Sequence, residues 1–110
     1  MSNEEAWRIE VIREPGHTAL RVTGDLDLET APQVLAAIEP HLAGGTEPLV
    51  LDLSRLTFID SSGLSALIRV HQRTTDAGRG LAIVPPAPPV AKVLEITGLD
   101  EVLPLRPGPA

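Results

Sequence analysis

Two short apolar runs on either side of a helical segment constrain the fold of this chain more than any other feature. Residues 49–53 and 81–84 are almost entirely aliphatic, and such runs are typical of strands covered on both faces in a parallel sheet. Residues 61–78 between them carry a helical pattern. Residues at offsets of three, four and seven from Leu64 lie on the same side of a helix, and this side consists of Leu64, Leu67, Ile68 and His71. A strand, a helix and a strand in this order predict a parallel βαβ unit.

The amino-terminal part of the chain predicts a hairpin. Residues 7–13 alternate apolar and charged side chains, and residues 18–23 follow the turn sequence Glu14-Pro15-Gly16. Period-two alternation on both sides of a turn is typical of two antiparallel strands.

A first helix is expected between the hairpin and the strand at residues 49–53. It should begin between residues 28 and 32, with Asp27 or Thr30 as the cap and Pro32 in the first turn. Gly44-Gly45 should end it.

The carboxyl-terminal part adds a third helix. The prolines of residues 85–89 lead into a helical stripe at residues 90–96, which Gly98 is placed to end. Residues 101–105 predict a short final strand, and residues 106–110 a frayed tail.

These elements together predict a single α/β domain over residues 1–110, with its core at about residues 7–105. The expected architecture is a mixed β-sheet of four to five strands packed with three to four helices. A loop at residues 57–63 then lies beyond the carboxyl end of the strand at residues 49–53. In open α/β sheets this edge is the usual place for a functional site.

Composition excludes several classes of function. With 9 basic against 15 acidic residues the net charge is −6, so direct nucleic-acid binding is not expected. The chain has no cysteine, which excludes disulfides and thiol nucleophiles, and its histidines lack carboxylates at metal-ligand spacing. We therefore expect no metal. No cofactor is predicted either, and the sequence leaves open whether the chain binds a nucleotide. No signal peptide and no membrane-spanning run is present, so the expected location is the cytoplasm.

The motif Asp60-Ser61-Ser62-Gly63 stands where an apolar run turns into the second helix. Ser and Asp are preferred at helix starts because their oxygens accept hydrogen bonds from free backbone N–H groups. A helix start also favours negative charge, so a phosphate on a serine there would be tolerated by the fold while changing the surface. From the residues alone, the motif is either a plain helix cap or a modification switch.

Two blocks of the sequence resemble the STAS domain, and closely the bacterial anti-sigma-factor antagonists. They are residues 23–32 (TGDLDLETAP) and residues 49–64 (LVLDLSRLTFIDSSGL), and residues 90–99 (VAKVLEITGL) are similar to the last helix of that family. The resemblance extends from about Trp7 to Leu105.

This resemblance implies a partner-switching mechanism. Such an antagonist binds an anti-sigma factor, often itself a serine kinase, and so frees a sigma factor. The kinase then phosphorylates the first serine of the motif, here Ser61, and the complex separates until a serine phosphatase restores the hydroxyl. The residues that the resemblance assigns to partner binding are Asp25, Asp27, Asp60, Ser61, Ser62 and Gly63. The sequence leaves open whether the chain forms a homodimer.

Two other functions compete with this interpretation. The chain could be a STAS subunit of a transporter or stress-sensing complex that binds its partner through the same face without phosphorylation. A small serine hydrolase is the other alternative, although the sequence Gly-x-Ser-x-Gly is absent around Ser61. For Ser62, a cap or supporting role is favoured over that of phosphate acceptor.

Overall fold

The computed structural model describes residues 7–43, 45 and 47–106, which form a mixed four-stranded sheet packed with three helices. The strands are β1 (Trp7–Glu14), β2 (His17–Leu26), β3 (Leu49–Ile59) and β4 (Leu81–Val84). The helices are α1 (Ala31–Ile38), α2 (Ser61–Asp76) and α3 (Pro88–Thr97). The predicted α/β architecture is confirmed.

The sheet has the order β1-β2-β3-β4, with an antiparallel hairpin followed by two parallel pairings. Strands β1 and β2 turn at Pro15-Gly16, where Gly16 has a φ of 89°, a conformation that glycine adopts without a steric penalty. Strand β3 pairs with β2 on one side and β4 on the other, so the predicted hairpin and βαβ unit are both confirmed.

Strands β2 and β3 are longer than predicted. The prediction ended β2 at residue 23 and β3 at residue 53, and placed a loop at residues 57–63. Instead the two strands stay paired to Leu26 and Ile59, through two irregularities that absorb extra residues of β3. The predicted loop is wrong, because only Asp60 separates β3 from α2. Backbone pairing holds this extension together even though several of its side chains are polar and exposed.

Helix α1 ends earlier than predicted. It stops at Ile38, and a 3₁₀-helix at Glu39–His41 replaces the expected continuation to Gly44-Gly45. Pro40 explains the change, because proline lacks the N–H and clashes with the preceding turn of an α-helix. Gly44 lies outside the described residues.

Helix α2 buries a face centred one position away from the predicted one. Its buried residues are Gly63, Ala66, Leu67, Val70 and Thr74. Of the predicted side only Leu67 is fully buried, while Leu64, Ile68 and His71 are half-buried. Glycine and alanine lie toward the sheet because their small size lets the helix approach it closely.

The carboxyl-terminal region contains no final strand over residues 101–105. A 3₁₀-helix forms at Leu99–Glu101, and only Leu105 bridges to Ile83 of β4. The predicted strand is wrong because Pro104 has no N–H to donate to a ladder. Helix α3 begins with Pro88 and ends at Gly98 in the left-handed region, as predicted. Of the predicted tail, residues 107–110 lie outside the described residues.

The hydrophobic core lies between one face of the sheet and the helices. It joins alternate residues of β2 and β3 to buried residues of all three helices. Apolar residues of the opposite face are not part of this core: Ile12, Ala19, Val50, Ala82 and Val84. Val50 is nevertheless only 7% exposed, so the expectation of a strand buried on both faces holds for the start of β3, while Ala82 and Val84 of β4 are half-buried on this face.

Candidate functional site

The parallel pairing of β2 and β3 brings the two predicted sequence blocks together. Leu26 and Ile59, the last residues of these strands, are opposite each other in register. The backbone N–H of Asp60 donates to the carbonyl oxygen of Leu26 at 3.2 Å. The aspartate loop, which we define as residues 25–30 from the end of β2 to the residue before α1, and the start of α2 therefore form one continuous surface at the carboxyl edge of the sheet.

Asp60 is the N-cap of α2. Its backbone is extended, and its Oδ1 accepts a hydrogen bond from the backbone N–H of Gly63 at 3.0 Å. Its carbonyl oxygen accepts from the N–H of Leu64 at 2.9 Å. These bonds satisfy backbone groups that a helix start leaves free, so the side chain of Asp60 is used within the chain itself.

Ser61 is the first residue of α2 and is exposed to solvent. Its hydroxyl makes no hydrogen bond to any described residue, so it is free to contact another molecule. Ser62 is half-buried and lies along a groove between α1 and α2. The two adjacent hydroxyls thus have different surroundings, and only that of Ser61 belongs to an exposed residue.

The aspartate loop is held by a compact set of hydrogen bonds around Thr30. The Oδ1 of Asp27 accepts from the backbone N–H groups of Glu29 and Thr30, at 3.0 and 3.2 Å. The hydroxyl of Thr30 accepts from the N–H of Asp27 and donates to the carbonyl of Asp25, both at 2.8 Å. Thr30 is the N-cap residue of α1 by position, but its side chain makes no capping hydrogen bond to the helix. Asp27 closes the turn before the helix, and its carbonyl oxygen accepts from the N–H of Ala31, the first residue of α1, at 2.8 Å.

Asp25 is exposed and connects the two parallel strands. Its Oδ1 accepts a hydrogen bond from the hydroxyl of Thr57 on β3 at 2.7 Å. This bond fixes the carboxylate at the carboxyl edge, so that Asp25, Asp27 and Asp60 give this part of the surface an acidic character.

Gly63 is buried where α2 approaches the end of β2. A Cβ placed on it would lie 2.5 Å from the carbonyl oxygen of Leu26 and 2.7 Å from Cγ1 of Ile59. Real Cβ atoms do not approach backbone oxygen this closely, so only glycine fits here. The structure places Gly63 beneath the surface, where it sets the position of Ser61.

Sequence reasoning missed two exposed apolar residues and a groove beside this site. Leu28, in the loop before α1, is 75% exposed, and Phe58, near the end of β3, is 49% exposed. A groove of about 310 Å³ runs between α1 and α2. Its lining residues are Leu28, Ala31, Pro32, Leu35, Ser62, Ser65, Ala66 and Arg69. In the sequence, only the position of the apolar Leu28 between two acidic residues, Asp27 and Glu29, indicated an exposed apolar side chain.

Asp52 lies away from this edge, on the face of the sheet that carries no helix. Burial by itself would raise the pKa of its carboxyl group. Hydrogen bonds from Ser54 and the ion pair with Arg21, at 3.2 Å, outweigh that effect and hold the pKa below its ordinary value.

Within residues 7–43, 45 and 47–106, no group of three or more histidine or acidic side chains is arranged to hold a metal ion. In the same part of the chain, no helix has the length and apolar character needed to cross a bilayer.

Comparison with known proteins gives consistent matches across nearly the whole chain. The family model described as "Mlab, STAS domain" matches residues 9–106. An anti-sigma F factor antagonist of Paenibacillus polymyxa is 29% identical over 99 residues, which cover 89% of this chain and 85% of the relative.

Two solved structures extend this similarity to the fold. The crystal structure of an anti-sigma factor antagonist from Mycobacterium paratuberculosis is 30% identical, with a TM-score of 0.81 over 97% of this chain and 91% of that one. The anti-sigma factor antagonist SpoIIAA in its unphosphorylated form is 25% identical, with a TM-score of 0.71 over 94% of this chain and 89% of that one.

Proposed function

The chain belongs to the STAS domain family, and on this premise we propose that it is an anti-sigma factor antagonist controlled by phosphorylation of Ser61. In the unmodified state it binds an anti-sigma factor and so releases a sigma factor. The observation that carries this proposal is the exposed Ser61 at the first position of α2, beside the aspartate loop. Relatives named as antagonists of anti-sigma factors support it, as does a similar protein whose structure is described as an unphosphorylated form.

A phosphate on Ser61 would act through charge at the binding surface. It adds about −1.5 to −2 charges at neutral pH, next to Asp60 and on the same edge as Asp25 and Asp27. The free N–H groups of the first helical turn and the helix dipole would stabilise this charge within the fold. A partner that closes on a neutral hydroxyl would have to accommodate a dianion instead, and a loss of about 3–4 kcal/mol would weaken binding several-hundred-fold.

The partner surface that we propose consists of the aspartate loop, the start of α2 and the groove between α1 and α2. Leu28 lines this groove, and three-quarters of its surface is exposed. Exposed apolar residues with a polar rim are typical of protein-binding surfaces. In this proposal the chain is a substrate and not a catalyst, because the kinase supplies the base and the nucleotide-bound metal. The anti-sigma factor is the proposed kinase, and a serine phosphatase reverses the reaction.

Peptide mass spectrometry tests this proposal. The chain is incubated with candidate anti-sigma kinases and Mg-ATP, and the phosphorylated residue is assigned by fragmentation. We expect phosphate on Ser61, its loss in Ser61→Ala, and its retention in the matched control Ser62→Ala. Phosphate on Ser62, or on neither serine with any such kinase, would contradict the proposal. Stable partner binding without any phosphorylation would instead favour the STAS subunit of a transporter or stress-sensing complex.

A further inference from the structure

Strand β1 has one long edge that pairs with no other strand in the described part of the chain. It stands first in the sheet, and its eight residues pair with β2 in unbroken register. Natural proteins blunt an exposed edge with a proline, a bulge or charged side chains. Strand β1 has no proline and no bulge, and its four charged residues are two arginines and two glutamates, which can pair with each other across an antiparallel junction. Its outward N–H and C=O groups are therefore available to a strand of another molecule.

The side chains of β1 are complementary to themselves in one antiparallel register. If two copies of β1 pair about Ile9, Arg8 lies opposite Glu10 of the second copy, and Trp7 lies opposite Val11. Residues directly opposite each other share a face of the sheet. On one face of the sheet formed by the two copies, Arg8 and Glu10 then make two pairs of opposite charges. On the other face the paired side chains of residues 7, 9 and 11 are all apolar.

Neighbouring registers lack this match. Pairing about Glu10 sets two glutamates opposite each other. Pairing about Val11 sets Arg8 opposite Glu14, but it also sets Arg13 opposite Ile9 and Glu10 opposite Ile12, so that charges lie against apolar side chains. Like charges directly opposite each other are destabilising. The sequence of the strand thus selects the register centred on Ile9.

Val11 and the charged side chains of β1 leave surface that a second copy would contact. Val11 is 45% exposed, and the side chains of Arg8 and Glu10 are 43% and 40% exposed. Within one chain Arg8 and Glu10 are 3.7 Å apart, too far for a hydrogen bond. The edge is also locally neutral, with two arginines and two glutamates on a chain of net charge −6, so repulsion between copies is small there.

We propose that β1 is a self-association surface, at which two copies pair antiparallel about Ile9 and join their sheets into one. Sedimentation velocity over a concentration series tests this proposal on the full chain. We expect a concentration-dependent dimer. Arg8→Glu and Glu10→Arg should each weaken it about tenfold or more, because each change sets like charges opposite each other twice.

The double variant R8E/E10R is the decisive control, because it exchanges the charges and restores their opposition in this register alone. We expect it to dimerise as the unmodified chain does. Lys92→Glu, on the exposed side of α3, gives the same change in net charge as Arg8→Glu and should leave the dimer unchanged. Circular dichroism confirms that every variant is folded. A chain that stays monomeric at all concentrations, or a double variant that is no better than the singles, would overturn the proposal.

Discussion

At the scale of single residues, the start of α2 depends on two neighbours of Ser61 with different physical roles. Asp60 satisfies free N–H groups of the helix, and Gly63 lets the helix lie against the end of β2. The sequence motif could predict the cap, because aspartate before serine is a common helix start. It could not predict the close approach, because the backbone oxygen that a Cβ would meet first belongs to Leu26, which is distant in sequence.

Replacement of Gly63 by alanine should destabilise the fold. The added Cβ would meet the carbonyl oxygen of Leu26 at 2.5 Å, so we expect Gly63→Ala to lower the free energy of unfolding by about 1–3 kcal/mol. Gly80→Ala is the matched control, since its Cβ would lie 3.5 Å from Cβ of Pro48, an ordinary contact. It should change stability by less than about 0.5 kcal/mol. Urea unfolding measures both, and equal effects would contradict the steric argument.

Asp52 should make stability depend on pH in the acid range. Its pKa is lowered in the folded state, so its charge stabilises the fold above the ordinary aspartate pKa of about 3.9. That contribution is lost as the pH falls through the folded pKa. The difference in unfolding free energy between the unmodified chain and Asp52→Asn should therefore shrink as the pH is lowered from 6 to below 4. A difference that stays constant or grows would contradict this assignment.

At the scale of the elements, the sequence predicted which helices and strands form but not where several of them end. In the described part of the chain, the alternating and aliphatic runs and the glycine and proline positions identified four strands and three helices, but they also predicted a strand at residues 101–105 that does not form. The continuation of β3 to Ile59 depends on pairing with β2, and the exposed residues Ser54 and Arg55 separate it from the aliphatic run that predicted the strand. The early end of α1 was predictable, because Pro40 was visible in the sequence.

The groove between α1 and α2 should contribute to partner binding. We expect Leu28→Asp to weaken binding to the anti-sigma factor about tenfold or more, because it places a charge where an apolar contact forms. Ile96→Asp is the matched control, since Ile96 on α3 is 74% exposed, compared with 75% for Leu28. It should leave the dissociation constant unchanged. Calorimetric titration measures both variants, and a loss of affinity that is equal in the two would contradict the proposed surface.

At the scale of the whole molecule, the sheet order brings distant parts of the sequence to one edge. The first sequence block, residues 23–32, contains the end of β2, and the second block, residues 49–64, contains the end of β3. Because these two strands are parallel neighbours, their carboxyl ends lie at the same edge of the sheet. This general property made the location of the site predictable. Leu28 and the groove were not predictable in the same way, because they require the packing of α1 against α2.

The most direct test of the account compares the two states of Ser61 in one binding measurement. The chain is prepared unphosphorylated and fully phosphorylated at Ser61, and each form is titrated with the purified anti-sigma factor. We predict that phosphorylation raises the dissociation constant by about a hundredfold or more, while circular dichroism shows the same fold. Equal dissociation constants for the two folded forms would contradict the account.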